Sequence, residues 1–287
     1  MRTRDLMRAW LACAALVATL PAMAQSVGEV KKTVEASMLV NGQIEITPQG
    51  AVKSYALDKE GELAPEVKQL LSKAIPLWTF DPVERNGKAV AARSKMNLRL
   101  VARQVAADRY EMSIRSAQFD GDPQPGETVG NDTMRPPRYP KTAAQHGVGG
   151  NVYLLLQVGR DGKVKQAAAE QTNLRVVDRE QNMRKWRTLL ETAAIESAKH
   201  WTFVPPTKGE SANDASWQVR IPVSYWVGIA KIPEDTEWQS YVPGPRNVIP
   251  WAVPTKAEMG VDAGGEGQLS QVGAGLQLKT PLNANAG

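Results

Sequence analysis

Ser197 and His200 stand three residues apart in a stretch of helical periodicity, the spacing at which a hydroxyl and an imidazole share one helix face. A nucleophile and its base would be the chemistry of such a pair. That chemistry also needs converging geometry and a third, orienting group, and the surrounding residues offer none. His200, next to Trp201 at the expected helix end, is accounted for by the favourable interaction of an imidazole with the C-terminal dipole. His146, before Gly147, reads as a loop residue. There is no Gly-x-Ser-x-Gly, no phosphate loop and no His-Glu-x-x-His. Asp120 and Asp122 form a lone Asp-x-Asp without the rest of a calcium loop. One cysteine, Cys13, excludes an intrachain disulfide and any cysteine-ligated zinc or iron–sulfur site, and two histidines exclude a three-histidine site. No catalytic residue, metal or cofactor is expected, and the chain reads as a binding protein rather than an enzyme. The 287 residues carry 35 Lys and Arg against 30 Asp and Glu, and no run of five basic residues occurs, which argues against nucleic acid as the partner.

The first segment reads as an export signal. Arg2, Arg4 and Arg8 precede an apolar run from Ala9 to Leu20, and Ala22-x-Ala24 supplies a small-x-small cleavage pattern, so residues 1–24 are expected to be removed. The rival readings are an uncleaved anchor, for which the run is short, and a lipoprotein modified at Cys13, whose preceding residues fit poorly. Cleavage removes three Arg, one Asp and the only cysteine, which leaves a thiol-free chain of charge +5 − 2 = +3 suited to an oxidising compartment. The expected location is the periplasm.

The body reads as two copies of one unit. Trp78-Thr-Phe80-Asp-Pro82 matches Trp201-Thr-Phe203-Val-Pro205 at four of five positions, 123 residues apart. A helical pattern precedes each match. In the first, Pro65 opens a run of Leu63, Val67, Leu70, Leu71, Ala74 and Ile75. In the second, Met183, Trp186, Leu189, Leu190, Ala193, Ala194 and Ala198 recur, with Asp178 and Gln181 placed for a capping box. Two strands joined by a turn precede each helix, one turn at Pro48-Gln49-Gly50 and the other at Arg160-Asp161-Gly162. An alternating strand follows each match: Met96, Leu98 and Leu100 in the first copy, Trp217, Val219, Ile221, Val223 and Tyr225 in the second. The expected fold class is α+β, two small domains each made of a short antiparallel sheet packed by helices. The first domain is placed at residues 27–107 and the second at 131–230. A Pro-Gly linker falls at 120–130, and a Pro- and Gly-rich tail, largely disordered, at 231–287. Trp238, Tyr241 and Trp251 in that tail either tuck onto the second domain or form a docking segment.

From about Pro136 to Val227 the sequence resembles the C-terminal domain of the TonB family. The resemblance rests on Tyr139-Pro140, Ala144, Gly150-Asn-Val152, Asp161-Gly162-Lys-Val164, Trp201-x-Phe203-x-Pro205 and a closing strand. The first copy, about Val40 to Ala102, looks like a degenerate version that lacks the Tyr-Pro opening. The resemblance implies an exposed edge strand that pairs with an extended segment of an outer-membrane receptor or other envelope protein. By position that strand is Trp217 to Val227, with Trp217, Val219, Ile221, Val223 and Tyr225 as its candidate residues. An ordinary sheet strand without a ligand is the alternative, as is edge pairing with a second copy in a homodimer. At the level of function, an energy-transducing accessory of outer-membrane transport and a structural scaffold with an interacting tail are the alternatives to a partner-binding protein. The short linker, the absence of a Gln-Pro-Val stretch before Tyr139 and the cleaved signal all depart from a tethered transducer.

A chain without disulfides must be held by its apolar cores. Trp78→Ala and Trp201→Ala should each cost about 3–5 kcal/mol in urea unfolding. A variant as stable as the parent would remove the basis for the corresponding unit.

Overall fold

A computed structural model describes residues 26–228, 231–254 and 260–283. The leader read at residues 1–24, with Cys13, lies outside the described residues.

The first half begins with a short helix, α1 (Val27–Lys31), followed by β1 (Glu35–Ile46) and β2 (Val52–Leu57). Met38, Val40, Ile44 and Ile46 alternate along β1 and are buried beneath α2 (Pro65–Ala74), which turns Val67, Leu71 and Ala74 inward. Pro65 sits in the first turn, where its missing N–H leaves no helical bond unmade. A small hairpin, β3 (Val83–Arg85) and β4 (Lys88–Val90), leads to the long strands β5 (Ala92–Ala106) and β6 (Arg109–Gly121). β6 pairs with β5 along its length, so the first half runs to Gly121 rather than to residue 107, and the expected linker begins only after that strand.

The second half contains β7 (Gly130–Thr133), α3 (Lys141–Gln145), β8 (Gly150–Gly159), β9 (Val164–Leu174), α4 (Glu180–Ala198), β10 (Thr202–Val204) and β11 (Ser216–Tyr225). Helix α4 buries Met183, Leu190, Ala194 and Ala198 against one face of this sheet. Asp178 does not form the capping box with Gln181. Its carboxylate instead accepts hydrogen bonds from Arg179 N at 2.7 Å, Asn182 Nδ2 at 3.0 Å and Trp186 Nε1 at 3.3 Å. Asp178 stands one residue too early for a box, because the residue at the N-cap is Arg179.

Both halves are antiparallel and follow one course. The strand order is β2-β1-β5 in the first and β9-β8-β11 in the second, with the helix between the second and third strands in sequence. The aromatic motif meets the hairpin turn identically in each. Phe80 N donates to Gly50 O and Phe203 N to Gly162 O, both at 2.8 Å. A Cβ on Gly50 would lie 2.0 Å from Phe80 O, and one on Gly162 would lie 2.2 Å from Phe203 O, so each turn admits only glycine at that crossing. Both glycines also hold positive φ, at 83° and 72°. Trp78, Phe80, Trp201 and Phe203 are all buried, and Phe119 of β6 meets Trp78 and Phe80 edge-on at 5.8 and 4.9 Å.

The described parts of the tail are ordered, contrary to the expectation of a largely disordered 231–287. β12 (Gln239–Tyr241) pairs with β1, and residues 242–247 run beside β9 through the bridges Leu174↔Val242 and Gln171↔Arg246. β13 (Ser270–Gln271) pairs with β11. Residues 277–282 lie antiparallel to Thr79–Asp81: Phe80 bridges Leu278, Lys279 N donates to Thr79 O at 2.8 Å, and Trp78 Nε1 donates to Leu282 O at 3.1 Å. Glycines and prolines permit the irregular course. Widely spaced apolar residues, Tyr241, Val242, Val261, Ala263, Leu276, Leu278 and Leu282, hold it down by burial. Of the three aromatic residues in the tail, Tyr241 is buried, Trp251 is half-buried and Trp238 is exposed. The two sheets approach through their polar faces, with Ser37 and Arg99 of one and Asn151, Tyr153 and Asn173 of the other around a cavity of about 20 Å3.

Glu35 ties β12 to the first sheet. Its carboxylate, only 3% exposed, accepts from Tyr241 Oη at 2.6 Å, Arg115 Nη2 at 2.6 Å and Arg103 Nε at 3.1 Å. Burial opposes ionisation, but the bonds from Tyr241 and Arg103 and the charge of Arg115 prevail and hold the carboxyl below the usual range. A lowered carboxylate stabilises the fold above its ordinary pKa, and that stability is lost as pH falls through the folded value. Glu35→Gln should therefore cost about 2 kcal/mol at pH 7 in urea unfolding. The gap from the parent should narrow as both are acidified below the carboxylate range. A gap that acid leaves unchanged would show that the charge of Glu35 does not hold β12.

Candidate partner-binding strand

β11 takes its place through its apolar side. Trp217, Val219, Ile221, Val223 and Tyr225 are all buried in the core beneath α4, so the candidate residues fix the strand and do not themselves face outward. Trp217 Nε1 donates to Ser211 O at 2.9 Å, and Tyr225 Oη donates to Leu190 O at 3.2 Å. Burial, reinforced by the neighbouring Tyr139 hydroxyl, pushes the Tyr225 phenol well above its ordinary value. The opposite face carries Gln218, Arg220, Pro222 and Ser224. Arg220 crosses the sheet to Glu170 of β9 in a bidentate pair at 2.6 and 2.9 Å.

The strand has β8 on one side for its whole length, with pairs from Ser216↔Gly159 to Tyr225↔Gly150. Its other side is not free, as the expectation of an exposed edge required. Val219 stands opposite Gln271 and Arg220 opposite Ser270. Val272 N donates to Gln218 O at 2.8 Å, and Gly267 N donates to Pro222 O at 2.9 Å. Pro222 marks this side in the sequence itself. In an antiparallel strand the N and C=O of one residue point the same way, so a proline whose carbonyl faces outward leaves the ladder to β8 unbroken. A proline inside an alternating strand was thus the available signal for which strand lies at the border of the sheet. The sequence held no comparable signal for the segment that covers it.

The motif residues of the second half build the scaffold around β11. Tyr139 Oη donates to Val148 O at 2.7 Å, and its ring meets Tyr225 edge-on at 5.3 Å. Pro140 caps α3, and Gly150 opens β8. Asp161 accepts from Lys163 N at 3.2 Å and pairs with Lys165 at 2.8 Å, which fixes the turn at Gly162. Trp201 Nε1 donates to Arg135 O at 2.8 Å, Phe203 fills the core, and Pro205 lies half-buried beside the Gly162 turn. Arg175 was not expected at all. Its guanidinium stacks 3.3 Å above the Trp226 ring and donates to Asn151 Oδ1 at 2.7 Å and Tyr225 O at 3.2 Å, at the end of β11. Burial lowers its pKa to about 10.

The residues first considered for chemistry do not converge. Ser197 Oγ donates to Arg135 O at 2.9 Å, while His200 is exposed; both line an open groove of about 810 Å3 with Arg138 and Trp201. His146 makes a 2.8 Å contact with Thr142 O and lies 5.1 Å from the Trp186 ring. Asp120 is an acceptor for side chains and not part of a metal set. It takes Gln118 at 2.7 Å, Ser270 at 2.8 Å, Gln268 at 2.9 Å and Asn97 at 3.4 Å. Among the described residues no group of three or more His, Cys, Asp or Glu is placed to hold a metal.

The family model for the C-terminal region of the Gram-negative bacterial TonB protein matches residues 135–225. Two curated relatives, each named Protein TonB, from Xanthomonas campestris pv. campestris strains B100 and ATCC 33913, are 31% identical over 97 residues. The match covers 34% of this chain and 37% of each relative, so the chain spans little more than a third of the relatives' length. No solved structure matches the chain significantly. The matched region opens just before Tyr139-Pro140 and closes at the end of β11, so residues 135–225 are similar to the TonB C-terminal family.

Proposed function

We propose that this protein acts in the Gram-negative envelope by binding, and that its partner is an extended segment of an envelope protein, such as an outer-membrane receptor, added at the edge of β11. The observation that carries this reading is that the family match ends on β11, a strand whose outward carbonyls already accept N–H groups from an added strand. An added strand gains affinity from main-chain bonds and specificity from side chains that alternate. The first half is read as a diverged copy of the same unit, a reading supported by its strand order and by the Gly50–Phe80 crossing. The location is the periplasm, reached through cleavage after Ala24.

The energy-transducer reading draws on the same family match. It requires a membrane tether, and among the described residues no helix is long and apolar enough to cross a membrane. The scaffold reading draws on the tail, which lies against both sheets.

Two measurements separate these. Intact mass of the exported protein should correspond to loss of residues 1–24; a retained leader would favour the transducer. A photo-crosslinking residue placed at Gln218 or Ser224 should capture an envelope protein in cells, and capture from tail positions alone would favour the scaffold. Capture of a second copy of this chain would replace the receptor with a homodimer.

A further inference from the structure

Six residues of the tail occupy the place of an added strand on β11. The Gly267 and Val272 amides reach the Pro222 and Gln218 carbonyls at 2.9 and 2.8 Å, and Arg220↔Ser270 and Val219↔Gln271 complete an antiparallel register. The side chains of this segment are also read. Gln268 Nε2 and Ser270 Oγ, two residues apart and therefore on one face, donate to the two oxygens of Asp120 at 2.9 and 2.8 Å. Leu269, on the other face, packs against the second core, and Gln271 Oε1 accepts from Val129 N at 2.8 Å. The backbone of β11 and the carboxylate of Asp120 thus form one recognition surface. It is met by a segment with donor side chains at alternate positions and an apolar residue between them.

From this arrangement we infer that residues 267–272 are a built-in occupant of the partner site. An incoming extended segment must displace them, and Asp120 selects segments that carry hydrogen-bond donors two residues apart. The inference rests on the reading of β11 as the partner strand. The covering segment is short, only two of its residues form a regular strand, and glycines at 264, 265, 267, 273 and 275 flank or lie within it. Its hold therefore depends on a few bonds that a better-matched strand replaces one for one. The flanking contacts, Asp262 with Ser116 at 2.6 Å and Leu278 with Phe80, lie on the first half and need not break.

The test uses the full chain and a labelled peptide with the sequence of residues 266–273. Gly267→Pro with Val272→Pro removes the two donated N–H groups, and proline cannot adopt the positive φ of residue 267. This opened variant should bind the peptide at least about tenfold more tightly than the parent. In a Cys13→Ser background, Val219→Cys with Gln271→Cys places two cysteines directly opposite in the close, non-hydrogen-bonded type of pair. The oxidised form should lose peptide binding and the reduced form regain it. Replacing Gln268 and Ser270 of the peptide by Ala should weaken binding roughly tenfold in the opened variant, and not when Asp120→Ala is added. Failure of the opened variant to bind, or equal binding by the oxidised chain, overturns the occupant proposal. An Ala effect that persists without Asp120 overturns the selecting role of that carboxylate. Crosslinking in cells fails separately: peptide binding without capture of an envelope protein would sink the partner reading and leave the displaceable segment standing.

Discussion

An open antiparallel sheet ends on two rows of unpaired N–H and C=O groups, and every larger feature of this chain answers to that constraint. Helices α2 and α4 cover faces, not edges. Parts of those edges are met by the described part of the tail. It lies beside β1 at Gln239–Tyr241, beside β9 at residues 242–247, beside β11 at 267–272, and beside the Thr79–Asp81 stretch at 277–282. No single stretch of it is long enough to be a stable strand alone. Each is held because the sheet it joins is already formed.

The last of these contacts shows how far the two halves correspond. In the second half, β7 lies antiparallel to β10, and Arg135 O accepts the Trp201 indole N–H. In the first half, residues 277–282 lie antiparallel to Thr79–Asp81, and Leu282 O accepts the Trp78 indole N–H. The strand that precedes the unit in one half is supplied by the far end of the chain in the other. This is how the first half buries its tryptophan with a satisfied N–H. An unpaired indole donor at this depth would otherwise carry a desolvation cost of about 1–3 kcal/mol.

Charged groups at the back of the sheets follow a second rule, that a buried or half-buried charge is kept where hydrogen-bonding partners meet it. Glu35 has Tyr241 and two arginines, Arg220 has Glu170 on both of its paired nitrogens, and Asp120 has four side-chain donors. Each of these clusters links strands that are far apart in sequence, and those of Glu35 and Asp120 include the tail. The polar backs of the sheets, which a single-sheet domain would expose to water, here hold the chain together.

What the sequence determined by itself is what local physics encodes. Period-two and helical patterns located β1, β5, β8, β11, α2 and α4, and the repeated Trp-x-Phe-x-Pro fixed which residues fill both cores. Asp-Gly and Gln-Gly marked turns that admit only glycine where the Phe amide crosses. The TonB-like order from Tyr139 to the closing strand was legible because those residues build turns and cores within about 90 neighbouring positions. The tail was not legible. Its composition matches that of a disordered segment, and its burial comes from isolated apolar residues with no period. Its hydrogen bonds go to partners far off in sequence, from Val272 with Gln218, 54 positions away, to Ser270 with Asp120 at 150 and Leu282 with Trp78 at 204. Only tertiary structure decides such pairings, because the edge that selects each tail segment does not exist until the sheet has formed. The same reason turned β11 from an open edge, as the family resemblance implied, into an edge already occupied.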